Sequence, residues 1–304
     1  MKTRVLFALS LALVASPAFG MTNLVVTQGE EIDLAVLYSS TDLLHGKIAT
    51  ELPGDKGWHP VNTDPADRLP AFTDGEGIRA TGLTGLLSDF PGAGAPAKKI
   101  EYSLTEAHDI SEIRIFTGNN GRDGRIFHTY TASFSSDGVS FSAPLYVQSH
   151  PSGTLNNSQN NQWRLVLSQL TDDTGFLVKN VTHLRFDFYS VDNTAGQMRD
   201  PFDGINPFTG QNDGLNTAFV SPLLLEIDVF GQLSPPKLAA GIANNNLSLV
   251  WITSQTGFVL QSTDNLESPS WNDLDPQPEI IVNGNTNSTA VPIGSSRKFY
   301  RLRQ

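Results

Sequence analysis

Hydrophobic and polar residues alternate with a period of two in two stretches near the middle of the chain. Ile113 and Ile115 alternate with Glu112 and Arg114, and His128, Tyr130, Ala132 and Phe134 alternate with Thr129, Thr131, Ser133 and Ser135. Successive strand side chains point to opposite faces, so this spacing predicts strands with one buried and one solvated face, as in an antiparallel sheet resting on a core. The Gly/Asp/Arg segment between them reads as a turn, and so does Ser135-Ser136-Asp137-Gly138. Further strands are expected over 145–147, 163–167, 184–189 and 223–230, with an apolar one earlier at 34–38. Together they approach the eight strands of a jelly roll.

Between these runs lie polar connections. Residues 52–70 are rich in Pro, Gly and Asp, 149–162 are Asn-rich, and 191–218 hold Asp192, Asp200, Asp203 and Asp213 among glycines. Loops this long inside a compact domain are commonly functional or disordered. Ser234-Pro235-Pro236 marks a boundary, because paired prolines cannot continue a ladder and they stiffen a link. Beyond it Leu247, Leu249, Trp251, Phe258, Leu260, Trp271, Tyr300 and Leu302 supply a new apolar set, enough for a second small β-sandwich over 234–304. The expected fold class is therefore all-β, with residues 21–233 forming one sandwich and 234–304 another.

The order of residues also resembles a known family. Tyr102-Ser103-Leu104, the strand 110–115, Asp123 and Arg125, and the run Tyr130 to Phe141 are similar to the discoidin or coagulation-factor type C superfamily, a galactose-binding-like jelly-roll sandwich. Leu69-Pro70-Ala71-Phe72-Thr73-Asp74-Gly75 resembles its early Asp-Gly loop and Leu225-Glu226-Ile227-Asp228-Val229-Phe230-Gly231 its closing strand, so the resemblance covers about two-thirds of the chain. It implies a structural calcium ion between that loop and that strand, with Asp74 and Glu226 in the matching places. The run 247–251, the segment 258–266, Trp271 and the terminal Phe299-Tyr300-Arg301-Leu302 resemble the immunoglobulin-like module at the C-terminus of many exported bacterial proteins.

The first twenty residues have the layout of a signal peptide. Lys2 and Arg4 precede an apolar run from Val5 to Ala15 and a small-residue exit at Ala18-Phe19-Gly20, which predicts export from a bacterial cell. No later run is long and apolar enough for a membrane span. The chain has no cysteine, which removes disulfides and thiolate chemistry. Its formal charge is -11, two units more negative once Lys2 and Arg4 leave with the leader, and an acidic surface repels phosphate backbones. Nucleic acid is not an expected partner.

Catalytic motifs are missing from the sequence. The six histidines form no His-Glu-x-x-His, and there is no Gly-x-Ser-x-Gly elbow or phosphate-cradling glycine loop. The expectation is a non-enzymatic secreted protein that recognises a glycan or another cell-surface ligand through jelly-roll loops. Arginine forks match hydroxyl pairs and carboxylates, and aromatic faces stack on sugar rings. On those grounds Arg122 and Arg199 are the expected contacts and Trp58 the stacking surface, at a rim formed with 119–125 and 191–218. The alternative is a structural envelope or matrix protein that makes protein contacts and has no sugar site.

Overall fold

A computed structural model of the chain describes residues 22–30, 34–79, 82–119, 124–154, 164–193, 196–252, 257–267, 269–284, 286–294 and 297–303. The expected leader lies outside them. The protein is all-β, with 44% strand and 6% helix, and every named strand pair is antiparallel.

The first eight strands are β1 (Thr22–Gly29), β2 (Thr50–Glu51), β3 (Lys98–Gly118), β4 (Thr129–Ser135), β5 (Leu145–Gln148), β6 (Leu165–Asp172), β7 (Val178–Phe188) and β8 (Leu224–Leu233). They form one curled sheet in the order β1-β6-β3-β7-β4-β5, with β2 and β8 also on β3. The 21 residues of β3 organise the whole unit. Its first half pairs with β2 and β7, from Lys98↔Phe188 to Ser103↔His183, and its second half pairs with β6 and β8. Register shifts between Ser103 and Ile110 bend the strand between these two layers. Bulges of this kind turn a strand sharply without ending it.

One core fills the space between the layers. It joins Ile100, Tyr102, Phe186, Phe188 and Tyr130 from one side to Ile113, Ile115, Leu170, Ile227 and Val229 from the other. The period-two pattern sets this directly: in β3 Lys98, Ile100, Tyr102 and Leu104 are buried, while Lys99, Glu101 and Ser103 face outward. His128 is fully buried, with Thr117 Oγ1 2.7 Å from Nδ1 and Ser168 Oγ 2.7 Å from Nε2. Burial pushes its pKa down to about 3, so it is a neutral packing residue.

Two expectations are corrected. Residues 34–38 are not a strand: Ala35–Leu37 form a 3-10 turn, in which Leu34 packs with Phe116 while Val36 stands in solvent. The outer face of β4 is not solvated either, since Thr129 and Thr131 are buried. The backbone N–H of Tyr189 donates to Thr129 O, its side chain hydrogen-bonds to Thr131, and Phe202 and Phe208 from the long loop pack on Tyr146 of the neighbouring strand. That loop is an ordered cover. Asn206, fully buried, donates from Nδ2 to Asp200 Oδ2 at 2.7 Å and accepts from Phe208 N at 2.8 Å.

Past Ser234 follow β9 (Ala239–Ala243), β10 (Asn246–Ile252), β11 (Val259–Thr263), β12 (Asn272–Asp273), β13 (Ile281–Asn283), β14 (Thr286–Pro292) and β15 (Phe299–Arg303). They make a four-stranded sheet β13-β14-β10-β9 and a three-stranded sheet β12-β11-β15. Leu249, Leu260 and Val291 form the centre of a small core, with Leu247, Tyr300 and Leu302 around it. Trp271 does not join that core. It is half-buried, and the Arg301 guanidinium covers its ring at 4.4 Å.

Candidate functional site

At one end of the first unit several connections are tied together. Isolated bridges join Trp58 to Leu87, Leu86 to Leu223, and Asp192 to both Met198 and Val220. Arg125 is the main clasp. Its guanidinium holds the Asp89 carboxylate with both terminal nitrogens and also donates to Ser221 O at 2.9 Å, while Ser221 N donates back to Asp89 Oδ1 at 2.8 Å. Close approach of the chain demands glycine at two places. A Cβ on Gly85, at φ +63°, would lie 1.6 Å from Leu224 O, and one on Gly124 would lie 1.7 Å from Asp192 Oδ2.

The residues expected to bind ligand fare differently. Trp58 is only 8% exposed. Its Nε1 donates to Glu51 Oε1 at 3.1 Å, Lys98 Nζ sits 3.9 Å from its ring centroid, and Phe72 packs against it at 5.6 Å. The ring is therefore engaged inside the fold and offers no open face for stacking. Arg199 donates from Nη1 to Asn216 O at 3.3 Å and from Nη2 to Gln197 Oε1 at 3.0 Å, which binds the long loop to itself. Arg122 lies outside the described residues, and so does Asp123. The arginine of that turn that is described, Arg125, belongs to Asp89.

Phe90 is the aromatic that sequence reasoning missed. It is 73% exposed, stacks on Phe219 with centroids 5.2 Å apart and planes 12° from parallel, and takes a left-handed backbone at φ +57°. A bulky residue in that region is uncommon and carries strain of about 1–3 kcal/mol, a cost that tends to persist at functional positions. Phe90 N donates to Phe219 O at 2.8 Å, Phe219 N to Asp192 O at 3.0 Å, and Arg199 N to Val191 O at 2.9 Å, so the ring rides on the same tied loops. A signal was present in Ser88-Asp89-Phe90-Pro91-Gly92, an aromatic placed inside turn residues where no strand could bury it.

The chain matches no protein-family model and no curated protein.

The expected calcium pair separates into two unlike carboxylates. Glu226 is fully buried on β8, accepts from Gly75 N at 3.0 Å through Oε2, and its Oε1 has no partner among the described residues. Burial, with Asp228 nearby, pushes its pKa up to about 9. Asp228 is pushed up to about 7 by burial and by Asp42, and burial also raises Asp42. An orphaned desolvated oxygen on Glu226 suits a hard cation. Asp74 does not. Its Oδ2 is paired with Arg79 Nη2, and its Oδ1 accepts from Glu76 N at 2.8 Å. Among the described residues no three His, Asp or Glu side chains are placed to share a metal ion.

Proposed function

We propose that this chain is an exported, non-catalytic binding protein whose first unit is a discoidin-like jelly roll. It recognises a glycan or other cell-surface ligand at the tied loop end and carries an immunoglobulin-like module behind it. The observation that supports this reading is Phe90, an exposed aromatic platform on a strained backbone beside polar loops. Aromatic faces stack on the apolar C–H faces of sugars, while neighbouring polar groups fix orientation. Phe90 takes the stacking role first expected of Trp58. Calcium enters this reading through Glu226, supplemented by backbone oxygens, with Asp74 assigned to Arg79.

A glycan array probed with the full exported chain tests the proposal, run with calcium and with chelator. Binding that is lost in Phe90→Ala and kept in Arg301→Ala, a change in the second module, is the expected result. A blank array from folded protein removes the carbohydrate reading.

One observation favours the second reading, a structural protein of the envelope or matrix. Ile252 and Ile281 stand exposed on one face of the four-stranded sheet of the C-terminal module and Ile242 and Val282 on the other, and exposed apolar side chains of this kind suit protein contacts. Concentration-dependent association that stops in Ile281→Ser together with Val282→Ser supports it.

A further inference from the structure

The layer β2-β3-β7-β4-β5 carries on its outward side a concavity of about 190 Å3. Strand register builds its floor. Thr131 pairs with Asp187 and Ser133 with Arg185 across β4 and β7, while Lys99 pairs with Asp187 and Glu101 with Arg185 across β3 and β7. Because alternate residues of a strand share a face, these outward side chains come from three adjacent strands in two neighbouring rows. Leu52 and Phe141 form apolar walls.

The hollow is held open by its own contacts. Arg185 Nε donates to Glu101 Oε2 at 2.6 Å, and its guanidinium lies 3.5 Å from the Phe141 ring centroid. Phe141 is in turn placed by the Asp137 turn, where Asp137 Oδ1 accepts from Val139 N and Ser140 N, each at 2.8 Å. Gly138 lets that turn close at φ +72°, where a Cβ would meet the His183 ring at 2.8 Å.

Two groups on the floor keep hydrogen-bonding capacity, although Asp187 is ion-paired with Lys99. Among the described residues neither the Asp187 carboxylate nor the Ser133 hydroxyl has a hydrogen-bond partner, and the nearest cation to Asp187 is Lys99 Nζ at 3.8 Å. Asp187 is partly withdrawn from water, which raises its pKa. A carboxylate accepts strong, charge-assisted hydrogen bonds, and hydroxyl groups can donate them. Lys99, Arg185 and Asp187 are the charged residues lining the hollow, and Arg185 is already neutralised by Glu101 beside it, so Lys99 and Asp187 balance and no net charge there selects a charged ligand. The volume is below the roughly 300–1,000 Å3 of pockets for drug-sized molecules, which limits the occupant to a single small ring.

We infer that this hollow is a second carbohydrate subsite, taking one neutral sugar residue whose vicinal hydroxyls reach Asp187 and Ser133 and whose apolar edge lies on Phe141 and Leu52. It shares no residue with the rim around Phe90, so the two sites stand or fall separately. Amide chemical shifts of the full chain, titrated with galactose, glucose, mannose and glucuronate at millimolar concentration, test the inference. At least one neutral sugar should shift Thr131, Ser133 and Asp187 with saturation. Asp187→Asn and Ser133→Ala should each weaken that binding at least fivefold with unchanged melting temperature, and Phe90→Ala should leave it intact. If sugars shift only the rim, the subsite is overturned while the rim reading stands. Tighter binding of glucuronate than of any neutral sugar overturns the assigned ligand class, and silence at 131–133 and 185–187 for all four sugars overturns the site. If Asp187→Asn fails to fold, Ser133→Ala alone decides.

Discussion

Arg125 meets Asp89 fork to fork, Nη1 on Oδ1 at 2.9 Å and Nη2 on Oδ2 at 2.8 Å, and this pair ties the turn after β3 to the loop that carries Phe90. Paired charged hydrogen bonds of this geometry are among the stronger ones in proteins. Asp89→Ala should destabilise the first unit by about 2–3 kcal/mol, since it leaves a half-buried guanidinium and Ser221 N without their acceptor. The double variant Asp89→Ala with Arg125→Ala should lose clearly less than the two single losses together. Urea unfolding of the four proteins measures it, and strict additivity would mean the pair contributes no coupling.

Phe90 separates backbone strain from ring contacts. Phe90→Ala and Phe90→Gly both remove the stack on Phe219, but only glycine relieves a left-handed φ of +57°. The glycine variant should be more stable than the alanine variant by about 1 kcal/mol. Equal melting temperatures would show that this turn does not hold its left-handed conformation in solution.

Lys98 is fully buried, with Nζ 2.7 Å from Glu51 Oε1 and 2.8 Å from Asp55 Oδ1 and the Trp58 ring across from it. Removing the cation strands the largely buried Asp55 carboxylate, whereas Glu51 still reaches water. Lys98→Ala should cost about 2–4 kcal/mol, below the full cost of breaking a wholly buried pair because Glu51 is solvated, and Lys98→Met, which keeps the stem packed on Trp58, should cost less. Denaturant midpoints give the order, and a loss under about 1 kcal/mol for alanine would mean water already reaches Asp55 as well.

Glu226 and Asp228 make stability depend on pH in a stated direction. Their folded pKa values, about 9 and about 7, lie above those of an unfolded chain, so the folded state holds protons that the unfolded state releases. The contribution is fully present below the ordinary carboxylate range and is lost as pH rises through 7 and then 9. In chelator, the first unit should melt several degrees lower at pH 9 than at pH 5.5, and Glu226→Gln should flatten that slope. Calcium would favour the ionised carboxylate, so it should raise the melting temperature at pH 8 in the parent chain and not in the variant. A slope unchanged by Glu226→Gln would locate the pH dependence elsewhere.

Much of the architecture is legible in the chain. Period-two alternation at 112–115 and 129–135, and the apolar runs near 145, 184 and 224, fall within strands because alternation is a local property of which face meets the core. The apolar positions 247–251 and 300–302 likewise mark real strands beyond Pro236. Other features depend on partners distant in sequence. The apolar run 34–38 reads as a strand until the fold curls it into a 3-10 turn with Leu34 and Tyr38 packed by Phe116, and Trp58 reads as a stacking surface until Lys98, Glu51 and Phe72 close around it. Thr131 looks solvated until Tyr189 covers it. By itself the sequence determined strand periodicity, turn chemistry, charge and the lack of catalytic motifs, all of which are set within a few residues. Only the tertiary structure decided which polar groups were satisfied by residues far along the chain and which side chains, such as the Phe90 ring, were left standing in solvent, because those contacts join segments distant in sequence.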